Sequence, residues 1–252
     1  MKIAVAGKGG AGKTTVSGTL ARALARSGHR VVAVDADVNP MLGISLGLGM
    51  DATERLWAVR QDFHRGECAR DAGVENLVER FGVQAPDGVT VVVVSRVDAP
   101  DEGCGCGGMT SHRLLAELDA TDRTVLGDLE AGVGVMARME AGCLDTVLVV
   151  ANPTAKSIEV ARRAVDTALA RGARVLIVAN RVREGADLEA IQAVLGEHEM
   201  VVIPEDPCIA RADEEGLAPI DLDDGAPGVR ALMALGDRLV AEAVVRATTS
   251  AS

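Results

Sequence analysis

The run Gly7-Lys8-Gly9-Gly10-Ala11-Gly12-Lys13-Thr14-Thr15 constrains this chain more than any other feature. It follows a short apolar segment, residues 3–6, and leads into residues 14–27, which carry a helical period. Glycine at this density weakens both helix and strand interiors, so the segment must be a loop joining the two. Glycine, four residues, then Gly-Lys-Thr between a strand and a helix is the pattern of a phosphate-binding loop. The glycines let successive N–H groups turn toward one anion beside the positive end of the next helix. Gly9, Gly10, Ala11, Gly12, Lys13, Thr14 and Thr15 are therefore the candidate residues for holding a nucleotide polyphosphate. Lys13 is expected to reach the β- and γ-phosphates, and the Thr14 hydroxyl to ligate Mg²⁺.

The rest of the chain agrees with that opening. Residues 3–6, 31–34, 89–94, 147–150 and 174–179 are nearly continuous in apolar, largely β-branched residues, with weaker runs at 124–126 and 200–203. Such runs read as strands buried on both faces. Helical periods fill the intervals at 14–27, 157–171 and 188–195. Strand alternating with helix predicts a doubly wound α/β domain, a mostly parallel sheet of seven to eight strands flanked by helices. Ligands then sit at the carboxyl ends of the strands. One domain over residues 1–252 is expected, with helix in 51–86 and a fraying tail after residue 248.

Charge and aromatic content narrow the function. The net charge of −11 opposes any broad grip on nucleic acid or anionic lipid, so neither partner is expected. There is no tyrosine, one tryptophan (Trp57) and two phenylalanines (Phe63 and Phe81), too few for a base-stacking platform. No apolar run approaches the roughly 20 residues of a membrane helix. The opening Met1-Lys2-Ile3-Ala4-Val5-Ala6 reaches glycine too early for a signal peptide, so a cytoplasmic location is expected.

Only four of the 26 basic residues are lysine (Lys2, Lys8, Lys13 and Lys156), and two of the four lie in the glycine loop. Lys8-Gly9-Gly10-Ala11-Gly12-Lys13-Thr14-Thr15 resembles the deviant Walker A motif of the SIMIBI-class ATPases, the group of MinD, ParA and the nitrogenase iron protein. The resemblance implies that Lys8 crosses a two-fold interface to the partner's phosphates, making the active unit a homodimer; the other reading is a lysine that only solvates its loop. The strand end Val34-Asp35-Ala36-Asp37 resembles the first switch of this class. That implies Asp37 positions the attacking water and Asp35 supports the Mg²⁺ shell. Thr124-Val125-Leu126-Gly127-Asp128 resembles the Walker B strand, which implies that Asp128 holds Mg²⁺ through water, although a strand-end Asp is also a common helix cap. Val178-Ala179-Asn180-Arg181 and Ile203-Pro204-Glu205-Asp206-Pro207 resemble the base-binding segments of the class. Each alone reads as a turn; together they imply that Asn180, Pro204 and Asp206 receive adenine, hence ATP or ADP.

Five cysteines in such a chain do not suggest a disulfide framework. Cys68, Cys143 and Cys208 stand alone and read as core or incidental. Cys104 and Cys106 differ, lying in Gly103-Cys104-Gly105-Cys106-Gly107-Gly108. Two thiolates are half of a four-ligand soft-metal site, so a second copy of the chain would complete it for Ni²⁺ or Zn²⁺. A redox pair and a chance pair are the alternatives. With the ATPase motifs, this pair resembles the nickel-insertion ATPases of carbon monoxide dehydrogenase, the CooC type. The resemblance implies an ATPase that delivers metal to a client metalloenzyme such as carbon monoxide dehydrogenase. The competing expectation is a MinD- or ParA-like regulatory or positioning switch.

Overall fold

The computed structural model describes residues 1–56, 58–59, 73–94 and 109–250. Its sheet holds eight strands: β1 (Lys2–Gly7), β2 (Val31–Ala36), β3 (Val83–Gln84), β4 (Thr90–Val93), β5 (Thr124–Leu129), β6 (Thr146–Ala151), β7 (Arg174–Val182) and β8 (Met200–Pro204). Their order is β3-β4-β2-β5-β1-β6-β7-β8, and every neighbouring pair is parallel except β3 with β4. The apolar runs become strands because both faces need cover. Ala4, Val32, Val34, Val147 and Val149 enter one core layer, and Ile3, Val5, Val31, Ala33, Leu148 and Val150 enter the other.

Helices seal both layers. On one side pack α4 (Val74–Phe81), α5 (Ser111–Glu117), α7 (Ala155–Ala170) and α8 (Gly185–Leu195), with Leu77, Phe81, Leu114, Ile158, Val165 and Ile191 buried. On the other lie α1 (Lys13–Arg26) and α11 (Pro227–Ser250), meeting through Leu20, Leu24, Leu232 and Leu235. Short helices α2 (Leu42–Ser45), α3 (Met50–Glu54), α6 (Gly134–Ala137), α9 (Pro207–Glu215) and α10 (Pro219–Leu222) complete the connections. The expected fold class holds, as an eight-strand, mostly parallel sheet between helices. One detail differs from expectation. Residues 83–84 form an antiparallel rim strand, where helix was expected through residue 86. The last helix is assigned through Ser250, two residues beyond residue 248.

Local chemistry fixes the helices that matter for the site. α1 stops where Gly28 takes a positive φ of 89°, with its N–H donating to the Ala25 carbonyl at 2.9 Å. Arg22, on the same helix, is 2% exposed and donates to Asp87 at 2.6 Å and to Asp221 at 2.5 Å. This pins α1 to the loop before β4 and to α10. α7 begins at Thr154, whose hydroxyl accepts from the Ser157 N–H at 3.4 Å. No helix among the described residues is long and apolar enough to cross a membrane.

Candidate nucleotide site

β1 lies near the middle of the sheet, so the glycine run leaves from the centre of its carboxyl edge, flanked by the ends of β5 and β6. Two glycines in the run are obligatory for different reasons. At Gly7 a Cβ would sit 2.5 Å from the Val150 carbonyl oxygen, inside the neighbouring strand. At Gly12, φ is 95° and a Cβ would sit 2.5 Å from Asn180 Nδ2. Gly12 opens α1: its carbonyl accepts from the Val16 N–H at 3.0 Å. The Gly9 and Gly10 backbones are exposed, Thr14 and Thr15 are half-buried, and Lys13 is 7% exposed.

The loop is braced by three strand ends. Asn180, at the end of β7, donates Nδ2 to the Ala11 carbonyl at 2.8 Å. Asn152, just past β6, donates Nδ2 to the Gly10 carbonyl at 3.4 Å, while its Oδ1 is buried without a partner. Gly132, past β5, donates its N–H to the Gly7 carbonyl at 3.1 Å. Lys8 Nζ donates to the Gly9 carbonyl at 3.2 Å, resting on its own loop.

Beneath the loop two carboxylates stand side by side. Asp35 and Asp128 are cross-strand partners in the β2–β5 register, 1% and 2% exposed. Burial raises the Asp128 carboxyl to about 6, an elevation that the Thr14 hydroxyl, the Lys13 ammonium and the Ser17 hydroxyl partly offset. The Ser17 hydroxyl donates to Asp128 Oδ1 at 3.1 Å. Burial and then the charge of Asp128 push the Asp35 carboxyl well above the usual carboxylate range. The Thr14, Ser17 and Asp128 oxygens make a hard, all-oxygen donor set of the kind Mg²⁺ takes, beside a buried carboxyl pair that a bound cation would help to ionise.

Asp35 has a second task. Its Oδ1 accepts from the Asp37 N–H at 3.2 Å and its Oδ2 from the Leu42 N–H at 2.8 Å, so one carboxylate closes the loop from 37 to 42 at both ends. Asp37 tightens that loop by accepting from the Asn39 N–H at 2.9 Å. These bonds accommodate the two residues, Val38 and Asn39, that separate Asp37 from Pro40.

Two clefts open over the loop. One, of about 500 Å³, is lined by the glycine loop with Lys13, Thr14 and Thr15, by Asp37 and Met41, and by Asp213 to Gly216. The second, of about 240 Å³, is lined by Asn180, Pro204, Asp206, Ile209 and Leu232 among others. Asp206 lines this cleft, yet its oxygens are engaged within the fold, accepting from the Cys208 N–H at 2.8 Å and the Gly228 N–H at 2.6 Å. The structure thus brings together Lys8, Lys13, Thr14, Asp35, Asp37, Asp128 and Asn180 at one strand-end mouth. The sequence reading missed Ser17 and Asn152. Ser17 lies one turn beyond Lys13, and that spacing was the available signal; Asn152 arrives only through strand order.

Cys68, Cys104 and Cys106 lie outside the described residues. Cys143 and Cys208 are free and half-buried. Among the described residues no group of three or more His, Cys, Asp or Glu side chains is placed to hold a metal ion.

Known proteins resemble this chain along most of its length. The carbon monoxide dehydrogenase accessory protein CooC of Rhodospirillum rubrum is 30% identical over 238 residues, covering 88% of this chain and 90% of the relative. An uncharacterised ATP-binding protein of Methanocaldococcus jannaschii is 30% identical, covering 90% of this chain and 93% of the relative. The septum site-determining protein MinD of Pyrococcus horikoshii, solved with Mg-ADP, shares the fold with a TM-score of 0.73 at 22% identity, covering 94% of this chain and 95% of that one. The glycine cradle and its strand-end acids thus have a family context. Residues 2–220 match the model of the CobQ/CobB/MinD/ParA nucleotide binding domain, and the chain belongs to that family of ATP-binding P-loop proteins.

Proposed function

We propose that this protein hydrolyses ATP as a Mg²⁺-dependent homodimer and uses the cycle to load metal, nickel or zinc, into a client metalloenzyme of the carbon monoxide dehydrogenase kind. The observation that carries this reading is the 30% identity to the Rhodospirillum rubrum accessory protein over 88% of the chain, in a sequence holding the Cys104-x-Cys106 pair.

The roles follow from the chemistry of the side chains. Lys13 binds the β- and γ-phosphates, and the N–H groups of residues 9–15 cradle them. Thr14 and Asp128 would hold Mg²⁺, with the Ser17 hydroxyl donating to the Asp128 carboxylate beside it. Mg²⁺ bound there supplies neutralisation of the phosphate oxygens during transfer. Asp37 orients the attacking water, and Asp35 sets the reach of Asp37 through the two N–H bonds it accepts. Asn180, Pro204 and Asp206 form the floor of the adenine cleft. Lys8 leaves the Gly9 carbonyl to touch the nucleotide of the second copy, closing the dimer and aligning four thiolates, Cys104 and Cys106 from each chain. Hydrolysis releases that alignment.

Metal stoichiometry of the purified protein, measured with and without ATP, tests the reading. About one Ni²⁺ or Zn²⁺ per two chains is expected from the four-thiolate arithmetic, lost in the Cys104→Ser/Cys106→Ser double variant. Metal binding unchanged in that variant removes the delivery role and leaves an ATPase. The second reading, a regulatory or positioning switch, draws on the likeness to the Pyrococcus furiosus cell division ATPase MinD, 25% identical with a TM-score of 0.72. ATP-dependent sedimentation with anionic liposomes would favour it.

A further inference from the structure

The loop that carries Asp37 runs into α2, a helix of a single turn. So short a helix does not hold itself in place, and its neighbours decide where the loop stands. Asp35 fixes the first end by accepting from the Leu42 N–H at 2.8 Å. Close packing on α1 fixes the flank: a Cβ at Gly18 would sit 2.7 Å from the Ser45 carbonyl oxygen. The far end turns over at Gly47, with φ 90°, where the Leu48 N–H donates to the Gly43 carbonyl at 2.9 Å.

That turn lies directly on an ion pair. A Cβ at Gly47 would come within 2.7 Å of Asp221 Oδ2 and 3.0 Å of Arg22 Nη1, with Pro86 Cγ next at 3.3 Å. Glycine is needed there twice, for the positive φ and for the approach. Arg22 Nη1 donates to the same Asp221 oxygen at 2.5 Å, and the arginine side chain is 3% exposed. The pair is thus the seat for the end of α2. The other side of this helix faces the nucleotide cleft, where Ile44 and Ser45 line the wall with Asp37. A shift at Gly47 is carried through one helical turn to the Asp35–Leu42 bond and so to the Asp37 loop. The glycine cradle is braced separately, by Asn180, Asn152 and Gly132.

We propose that Asp221 is a positioning residue for ATP hydrolysis, holding Arg22 against Gly47 and thereby fixing α2 and the loop that carries Asp37. This rests on the ATP reading above and on the water-orienting role given there to Asp37. Asp221 lines neither cleft, so it acts on the reaction only through α2. Without Asp221, Arg22 keeps its second partner, Asp87 at 2.6 Å, so α1 stays tied while the seat of Gly47 is lost.

Steady-state phosphate release from Mg-ATP, with the melting temperature of each protein without nucleotide, tests it on wild type, Asp221→Ala, Asp87→Asn and Asp37→Asn. Asp221→Ala is expected to lose about tenfold in kcat with KM for ATP within about twofold, because misplacing a water-orienting group lowers kcat and leaves binding alone. Asp87→Asn weakens the other ion pair of the same arginine and the pair with Arg26, and Asp87 supplies none of the three atoms nearest the Gly47 position. It is expected to lower the melting temperature and to keep kcat within about twofold of wild type. Equal losses of kcat in Asp221→Ala and Asp87→Asn overturn the proposal, because general loosening of α1 then suffices. An unchanged kcat in Asp221→Ala overturns it too, whether or not KM rises. Wild type that releases no phosphate sinks the ATP reading itself, separately from any variant. Asp37→Asn that hydrolyses at the wild-type rate leaves that reading standing and removes the role of Asp37, and this proposal with it.

Discussion

At the scale of single residues, the site works through atoms that hold the glycine loop and the 37–42 loop in place. Gly12 is the sharpest case. Its φ of 95° and the 2.5 Å approach of Asn180 Nδ2 leave no room for a methyl group. Gly12→Ala is expected to break the Asn180–Ala11 bond and to weaken ATP binding by more than about tenfold, while the two core layers, to which the Gly12 position contributes no side chain, keep the fold cooperative. Calorimetry and thermal melting on the same sample check both halves. Asp35 makes a different prediction. Asparagine at that position keeps one acceptor for the Asp37 and Leu42 N–H groups and turns its amide against the other. Asp35→Asn is therefore expected to lower kcat about tenfold with little change in KM for ATP, because Asp37, the residue proposed to orient water, loses its placement and the phosphate cradle does not. Steady-state phosphate release separates the two constants. At this scale the sequence showed most of what the structure assembles: the glycine run, Lys13, Thr14 and the strand-end acids. It did not show the positive φ of Arg181, which leaves no trace in residue type, nor Asn152, because a strand neighbour is set by sheet order.

At the scale of elements, α1 carries the site and is itself tied down by Arg22. The Asp221 and Asp87 bonds outweigh the lowering effect of burial and raise the Arg22 guanidinium above its ordinary value. Against burial, which raises it, the bonds from Arg22 and Arg26 hold the Asp87 carboxyl below the usual aspartate range. A depressed carboxyl contributes stability that is complete above the ordinary aspartate value near 4 and vanishes as pH falls through the folded one. The melting temperature is thus expected to fall with acidification below about pH 4, and Arg22→Ala is expected to flatten that part of the profile. The same variant removes a buried cation with two partners and is expected to cost about 3 kcal/mol, read by denaturant unfolding. The long elements were legible because a strand buried on both faces must be apolar throughout and a covering helix must repeat its apolar face. Short pieces were not. Val83 and Gln84 are both exposed, so no burial pattern marks them as a strand. Asp87, at φ 59° in the turn that follows, is held by Arg22 and Arg26, 65 and 61 residues away in the chain.

At the scale of the whole molecule, the acidic balance and the half-buried Lys8 shape what can associate. Lys8 rests on its own Gly9 carbonyl when the chain stands alone, an exposed bond that costs little to exchange for phosphate. Light scattering in four states (free, with Ni²⁺ or Zn²⁺, with ATP, and with both) is expected to show the 26.0 kDa chain doubling in mass with ATP. Lys8→Ala is expected to stay single with ATP while binding it. A dimer that forms equally well in Lys8→Ala would remove the cross-subunit role.

The rim strand β3 has a bearing on how large such an assembly can grow. Two residues, antiparallel to β4 and both exposed, expose too few free amide and carbonyl groups on their outer side to recruit another chain's backbone. A second copy laid along β3 would therefore gain few backbone bonds, whatever contact it made elsewhere.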